Sequence, residues 1–187
     1  MKVSIIIPVY NEQDFIKKSI ESIINQTTKP HKVIYVNDSS TDKSRSIIEE
    51  FSEKYKWIDL VDHESKQQHV PGSKVVDAFN FGLKNLNINY DIICKFDADI
   101  ILPNNYLEKL IDIFSRNKNV GIAGGNLYIF KRGKWLYEKI AAKSHVRGPI
   151  KAYRQKCFKE INGLKSTIGW DTVCLLYTSD AADDMQC

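Results

Sequence analysis

The sequence has few cysteines and no long apolar run. Four cysteines show none of the paired spacings of a zinc site; they are Cys94, Cys157, Cys174 and Cys187. Reduced thiols in a cytoplasmic protein are therefore expected, and a disulfide framework is not. No apolar stretch reaches the roughly 18 residues that a transmembrane helix needs. Residues 1–8 have a short apolar run without a cleavage site, which predicts a strand, not a signal peptide.

A basic block with interleaved aromatic residues is also missing, so no nucleic-acid partner is predicted. The net charge of +4 is mild and is compatible with anionic ligands, with transient contact with an anionic membrane surface, or with solubility alone. At 187 residues, with 43% hydrophobic and 27% charged residues, the chain is long enough for one domain with a sizeable core. We expect a cytoplasmic location, with peripheral contact at the inner face of the cell membrane as an open option.

Strand-like and helix-like segments alternate along most of the chain. The predicted strands are residues 3–8, 31–37, 57–61, 91–96, 120–123 and 126–130. Apolar residues at helical spacing follow most of them, with Asn11 as the predicted cap of the first helix and Pro103 opening a later one. A short amphipathic helix is predicted at residues 135–143. Its residues 135–137, which include Trp135, are expected to lie in the core, with membrane contact as the alternative. This alternation predicts an α/β fold whose mostly parallel sheet is flanked by helices.

Polar clusters follow three of the predicted strands, at residues 10–12, 38–40 and 97–99. Ligands of open α/β sheets bind at the carboxyl ends of the strands, so these clusters predict a site. Asp97 and Asp99 are two residues apart, which in an extended backbone puts their carboxylates on one face, roughly 7 Å apart. Such a pair suits Mg²⁺ or Mn²⁺. The alternative is that Asp99 only caps the next helix.

These segments together resemble the family 2 glycosyltransferases, which have the nucleotide-sugar-binding GT-A fold. The matching segments are residues 3–12, 36–42, 72–74, 78–83, 97–99, 153–154 and 169–171. Asp97 and Asp99 fall where the family has its metal-binding D-x-D. Asn37 and Ser39 depart from the family pattern, in which two acidic residues and a glycine are usual.

The resemblance implies a role for each matching position. The nucleoside pocket would be lined by Pro8, Tyr10, Glu12 and Asp38. Asp97 would contact the ribose or a metal-bound water, and Asp99 would ligate Mn²⁺ or Mg²⁺ directly.

Three further residues have two interpretations each. Lys74 would contact phosphate or be a solvated helix residue. Asp171 would be the general base or a helix cap. Arg147 would lie near the diphosphate or at the surface, while Arg154 is expected to support the acceptor loop.

By the same resemblance, the chain would be a metal-dependent, inverting transferase of sugars from a nucleotide-diphosphate donor, with UDP-sugars expected. The acceptor would be a glycan or a lipid-linked molecule in polysaccharide or glycoconjugate synthesis of the cell envelope. Two rivals are a Mg²⁺-dependent phosphohydrolase with Asp97 as nucleophile and a nucleotide-sugar-binding remnant without transfer activity.

The end of the chain has a different character. Residues 174–183 resemble the in-frame translation of a transposon-based sequencing adapter. We therefore expect a glycosyltransferase domain at residues 1–173, with its C-terminal part missing, and a non-native tail at residues 174–187. Residues 179–187 are expected to pack poorly.

Overall fold

A computed structural model describes residues 1–64, 73–140 and 145–166, which form eight strands and five helices. The strands are β1 (Val3–Val9), β2 (Lys32–Asp38), β3 (Ile58–His63), β4 (Ile92–Phe96), β5 (Ile122–Ala123), β6 (Tyr128–Lys131), β7 (Lys134–Tyr137) and β8 (Ile150–Arg154). The helices are α1 (Ile16–Ile24), α2 (Ser44–Lys54), α3 (Ser73–Lys84), α4 (Tyr106–Arg116) and α5 (Gln155–Glu160). None of the helices in these ranges is long and apolar enough to cross a membrane.

Six strands form one sheet in the order β3-β2-β1-β4-β8-β5. The first four of these are parallel, whereas β8 runs antiparallel to both β4 and β5. Apolar side chains are buried on both faces of the sheet, for example Ile5 and Ile7 on one face and Ile6 on the other. Burial on both faces explains the continuous β-branched run of β1 and confirms the predicted α/β class.

Glycine at position 82 lets α3 lie close against the sheet. A Cβ atom there would come within 2.7 Å of the Cγ2 atoms of Ile6 and Val36. Both side chains are β-branched and have little freedom to move away. The close approach of α3 to β1 and β2 therefore depends on the missing side chain.

The first helix begins later than predicted. Asn11 does not cap it: α1 starts at Ile16, and Phe15, which is half exposed, occupies the N-cap position. Asn11 has a φ of 55° and accepts a hydrogen bond from the backbone of Thr41 instead. Helix α4 likewise starts at Tyr106, three residues after Pro103.

The predicted helix at residues 135–143 is wrong in its described part. Lys134–Tyr137 is strand β7, which pairs with β6 through a turn at Arg132 and Gly133, whose φ angles are 53° and 76°. Positive φ at both central turn residues is the geometry of a two-residue hairpin, and aromatic residues favour strands. Trp135 is 61% exposed, so its predicted place in the core is also wrong.

Candidate active site

The ends of β2, β1 and β4 form the centre of the site. These three strands are neighbours in the parallel part of the sheet, so their carboxyl ends lie at one edge. Along the β1–β2 pair, Pro8 faces Val36, and the register places Asp38 just beyond the end of the pairing. Asp38 is buried, Pro8 and Glu12 are partly buried, and Tyr10 is exposed. The structure thus places the four residues predicted for a nucleoside pocket at one edge of the sheet.

The loops after β1 and β2 are joined by a set of hydrogen bonds. The amide of Glu12 donates to Ser44 Oγ at 2.7 Å, and that of Gln13 donates to Asp42 Oδ2 at 3.0 Å. In the opposite direction the amide of Thr41 donates to Asn11 Oδ1 at 2.8 Å. We call this set the loop clamp; it fixes the position of Glu12 relative to the end of β2.

Asp38 is held by a neighbour from β3. Its Oδ1 lies 3.0 Å from Nδ1 of His63, and both side chains are largely buried. The His63 ring also packs against Phe81 of α3, with ring centroids 4.7 Å apart. Asp38 is therefore held at the pocket by His63 of β3, whose ring is in turn packed against α3.

A second cluster of polar side chains supports β2 on the side that faces β3. Asn37 Nδ2 donates to Asp62 Oδ1 at 2.8 Å, and the Arg45 guanidinium makes three donor–acceptor contacts with the same carboxylate at 3.1–3.2 Å. Hydrogen bonds from Arg45 and then Asn37 lower the pKa of Asp62. Asn37, which departs from the family pattern, thus contacts β3 and not an open pocket.

Asp97 is paired with a buried cation. Lys95 lies on the same side of β4, two residues earlier, and its ammonium group contacts Asp97 Oδ1 and the carbonyl oxygen of Gly148. The side chain of Lys95 is 2% exposed. The Asp97 amide donates to the carbonyl of Pro149 at 2.9 Å. Asp97 is therefore oriented both by its own strand and by the turn before β8.

The predicted extended geometry of Asp97 and Asp99 is wrong. Strand β4 ends at Phe96, and a turn begins at Ala98. The two carboxylates still interact: burial raises the pKa of Asp99, and the charge of Asp97 raises it further. The cap alternative for Asp99 is also wrong, since Asn105 is at the N-cap of α4.

Glu12, in the loop after β1, brings a third carboxylate to this edge of the sheet. Burial raises its pKa, and the charges of Asp99, Asp97 and Asp42 raise it further. Carboxylates that destabilise each other's charged forms gain most from a bound cation. A bound cation would therefore stabilise the charged forms of Glu12 and Asp99.

Whether a divalent cation fits can be judged from the donor atoms. Among the described residues, no group of three or more His, Cys, Asp or Glu side chains is placed to hold a metal ion. Asp97 and Asp99 offer hard oxygen donors, and Mg²⁺ commonly uses one or two carboxylates together with phosphate oxygens and water. The two aspartates thus fit a cation that takes its other ligands from a bound diphosphate.

An open cavity of about 550 Å³ adjoins Asp99. Its wall is mainly apolar and aromatic, and the lining includes Leu102, Leu127, Tyr128 and Trp135. Such a lining next to carboxylates suits a ligand that has both polar and apolar faces.

The remaining predicted residues are distributed over the fold. Lys74 is exposed in the first turn of α3, which begins at the edge of the sheet where the site lies. Asp171 lies outside the described residues. Arg147 pairs with Glu138 at 3.0 Å, and both side chains are mostly buried.

Arg154 lies far from the site. It is in register with Ile92, at the opposite end of β4 from Asp97. Its guanidinium donates to the carbonyls of Phe114, Asn117 and Val120 at 2.7–2.9 Å. Arg154 thus supports the end of α4.

Sequence reasoning missed three supporting residues. Lys95 could have been found, because a lysine two residues before an aspartate in a strand lies on the same face. His63 and Ser44 carried no such signal, since their partners are 25 and 32 residues away.

Comparison with known proteins identifies the family. Residues 4–170 match Glycosyl transferase family 2, and the chain belongs to this family. Glycosyltransferase GlyA of Streptococcus pneumoniae is 33% identical over 136 residues, covering 73% of this chain and 18% of GlyA. The minor teichoic acid biosynthesis protein GgaA of Bacillus subtilis is 32% identical over 123 residues, covering 64% and 26%. The chain therefore spans about a quarter or less of the length of these relatives.

Solved structures share the fold. A mannosyltransferase from Pyrobaculum calidifontis in complex with GDP-Man and Mn²⁺ superposes with a TM-score of 0.75 at 19% identity, covering 100% of this chain and 56% of that one. S. aureus TarS 1–349 in complex with UDP-GlcNAc gives a TM-score of 0.75 at 17% identity, covering 100% and 58%. These likenesses confirm the predicted GT-A fold.

Proposed function

We propose that this domain transfers a sugar from a nucleoside-diphosphate donor to a hydroxyl group of a glycan or lipid-linked acceptor in cell-envelope synthesis. A UDP-sugar is the proposed donor. The observation that carries the proposal is that Glu12, Asp97 and Asp99 follow neighbouring parallel strands at one edge of the sheet, where burial and the neighbouring carboxylates raise the pKa of Glu12 and of Asp99. The family and the nucleotide-sugar complexes of its structural neighbours support the same function.

Each described residue then has a stated task. The exposed ring of Tyr10, together with Pro8 and the anchored Asp38, would bind the nucleoside. Asp99 would ligate Mn²⁺ or Mg²⁺, and Asp97, oriented by Lys95, would contact the ribose or a metal-bound water. When bound, the cation neutralises charge on the diphosphate as it leaves. Lys74 remains a proposed phosphate contact at the start of α3.

The proposed reaction is a single displacement with inversion. The acceptor oxygen attacks the anomeric carbon from the face opposite the diphosphate, and the bond from that carbon to the diphosphate oxygen breaks. Asp171 is the proposed base that takes the hydroxyl proton. We also retain the proposed division into a transferase domain at residues 1–173 and a tail at residues 174–187.

The rivals differ in what supports them. A phosphohydrolase would need Asp97 as a nucleophile, and the ion pair with Lys95 occupies one of its oxygens. A domain that binds the donor without transferring sugar shares every contact described above, so only a transfer measurement separates it from the proposal.

Thermal shift and product release test the proposal on the full chain. UDP-, GDP- and dTDP-sugars are compared with and without Mn²⁺, and the largest Mn²⁺-dependent stabilisation is expected with a UDP-sugar. Asp99→Asn should lose that stabilisation. Asp171→Asn should keep it but lose UDP release from the UDP-sugar.

Asp112→Asn is the matched control, because Asp112 forms only an exposed ion pair with Arg116 on α4. It should behave as the unaltered chain does. A Mn²⁺-dependent shift that persists in Asp99→Asn would contradict the metal assignment, and binding without any UDP release would favour the non-transferring rival.

A further inference from the structure

The hairpin formed by β6 and β7, residues 128–137, carries unusually exposed apolar side chains. We call it the aromatic hairpin. Phe130 and Trp135 are 62% and 61% exposed, and Ile129 and Leu136 are nearly half exposed. Exposure of four large apolar side chains within eight residues is costly in water, so such a patch commonly marks an interaction surface.

The apolar residues cover both faces of the hairpin near its turn. Phe130 pairs with Trp135, with ring centroids 5.2 Å apart, and Ile129 pairs with Leu136. Paired residues of an antiparallel ladder lie on one face, and successive pairs alternate between faces. A partner must therefore contact the hairpin on both faces, as a lipid headgroup layer does when a hairpin inserts into it.

The turn of the hairpin is positively charged. Lys131, Arg132 and Lys134 surround the turn, and residues 126–137 contain no acidic side chain. The nearest acid that follows, Glu138, is already paired with Arg147. Aromatic rings next to lysine and arginine are the combination found at membrane–water interfaces, where rings enter the headgroup layer and cations meet anionic lipid.

We propose that the aromatic hairpin docks the domain on an anionic lipid bilayer. The charges favour lipid over a protein partner, because lysine is depleted in the buried centres of protein interfaces. The apolar side chains on both faces would enter the headgroup region while the three cations contact anionic headgroups. This surface lies outside the set of residues proposed to bind the donor.

Docking would also have a consequence for the acceptor, and this consequence rests on the proposed function. Trp135 and Tyr128 line the cavity next to Asp99 as well as belonging to the hairpin. A bilayer bound at the hairpin would therefore present a membrane-held acceptor at the open side of that cavity.

Vesicle co-sedimentation of the full chain tests the charge contribution. Phosphatidylcholine vesicles with phosphatidylglycerol should bind the chain, and pure phosphatidylcholine vesicles should bind it far more weakly. The double variant Lys131→Glu/Lys134→Glu should reduce binding to the anionic vesicles at least about thirtyfold, since each basic residue near the surface contributes a severalfold factor. Lys17→Glu/Lys18→Glu makes the same charge change at exposed positions of α1 and should have a much smaller effect.

A second pair of variants tests the apolar contribution. Phe130→Ser should reduce binding about tenfold, because the loss of one inserted ring removes its burial in the headgroup layer. Phe15→Ser removes an exposed ring elsewhere and should leave binding unchanged. All variants should keep the melting temperature and the Mn²⁺-dependent donor shift, which separates this test from that of the proposed function.

Three results would overturn the proposal. They are no binding to anionic vesicles, equal loss in the hairpin variants and their controls, or lipid-independent self-association that Phe130→Ser abolishes. The last result would identify the hairpin as a contact between copies of the chain.

Discussion

The parallel strand ends and the aromatic hairpin both reach Asp99, yet they are built in opposite ways. At the strand ends, polar side chains from different strands hold each other, as in the loop clamp and the Asp38–His63 pair. In the hairpin, apolar side chains pair across the two strands, and four of them remain nearly half exposed or more. The strand ends are held by contacts within the protein, whereas the hairpin leaves apolar side chains accessible to a partner.

This difference has a physical origin. The parallel strands are buried on both faces, so their polar ends must find partners within the protein. The hairpin is a separate two-stranded sheet with little core of its own, and such hairpins are marginally stable unless they pack against something. The two regions should therefore respond differently to substitution.

The largest expected difference is in stability. Gly82→Val should lower the free energy of unfolding by about 3 kcal/mol, because the new side chain would overlap Ile6 and Val36 and force α3 away from the sheet. Lys84→Val, at an exposed position of the same helix, should cost about 0.5 kcal/mol. Phe130→Ser should change stability by less than about 0.5 kcal/mol. Urea unfolding measures all three, and an equal cost at positions 82 and 130 would contradict the contrast between the regions.

A smaller effect is expected in the loop clamp. Ser44→Ala removes the acceptor of the Glu12 amide and should cost about 1 kcal/mol. Because Glu12 then loses its fixed position, the Mn²⁺-dependent thermal shift with a UDP-sugar should also decrease. Ser46→Ala is the control, since Ser46 bonds only to the nearby Lys43 carbonyl on the helix surface. A donor shift that is unchanged in Ser44→Ala would show that the clamp serves stability alone.

The smallest effect concerns pH. Since its pKa is lowered in the folded state, Asp62 stabilises the fold above the ordinary carboxyl pKa of about 3.9, and this contribution is lost as the pH falls through the folded value. Arg45→Met should therefore lower the melting temperature at pH 7 and have progressively less effect below about pH 4. The group is half exposed, so a contribution of about 0.2–1 kcal/mol is expected.

Arg116→Met serves as the comparison for this pH series, because it removes an exposed pair within one helix. It should change the melting temperature less at pH 7. If the melting temperatures of Arg45→Met and the unaltered chain differed more in acid than at pH 7, the effect would have the wrong sign. That result would exclude this role for Asp62.

Local patterns predicted most of the parallel half. The apolar runs of β1, β2 and β4 and the spacing of apolar residues in α2 and α3 are confirmed by the structure, and so is the family. The predicted polar clusters meet at one sheet edge because parallel topology requires it. Predictions that depended on a single local residue did worse, as with Asn11 and Pro103.

The errors concern positions where partners outside the segment itself decide the conformation. Residues 134–137 form a strand because β6 pairs with them, although their own pattern also fits a helix. Asn11 does not cap the helix, because its side chain accepts a hydrogen bond from the Thr41 amide and its own amide donates to Ser40 Oγ. Neither partner can be read from the spacing of residues within one segment.

The sequence by itself determined the order of strands and helices in the parallel half and the acidic residues at the strand ends, because periodicity and residue chemistry are local properties. Only the tertiary structure decided that Ser44 holds the Glu12 amide, that His63 holds Asp38, and that the turn before β8 holds the Asp97 amide. Those outcomes depend on strand register and on burial, and both arise only when segments far apart in the chain pack together.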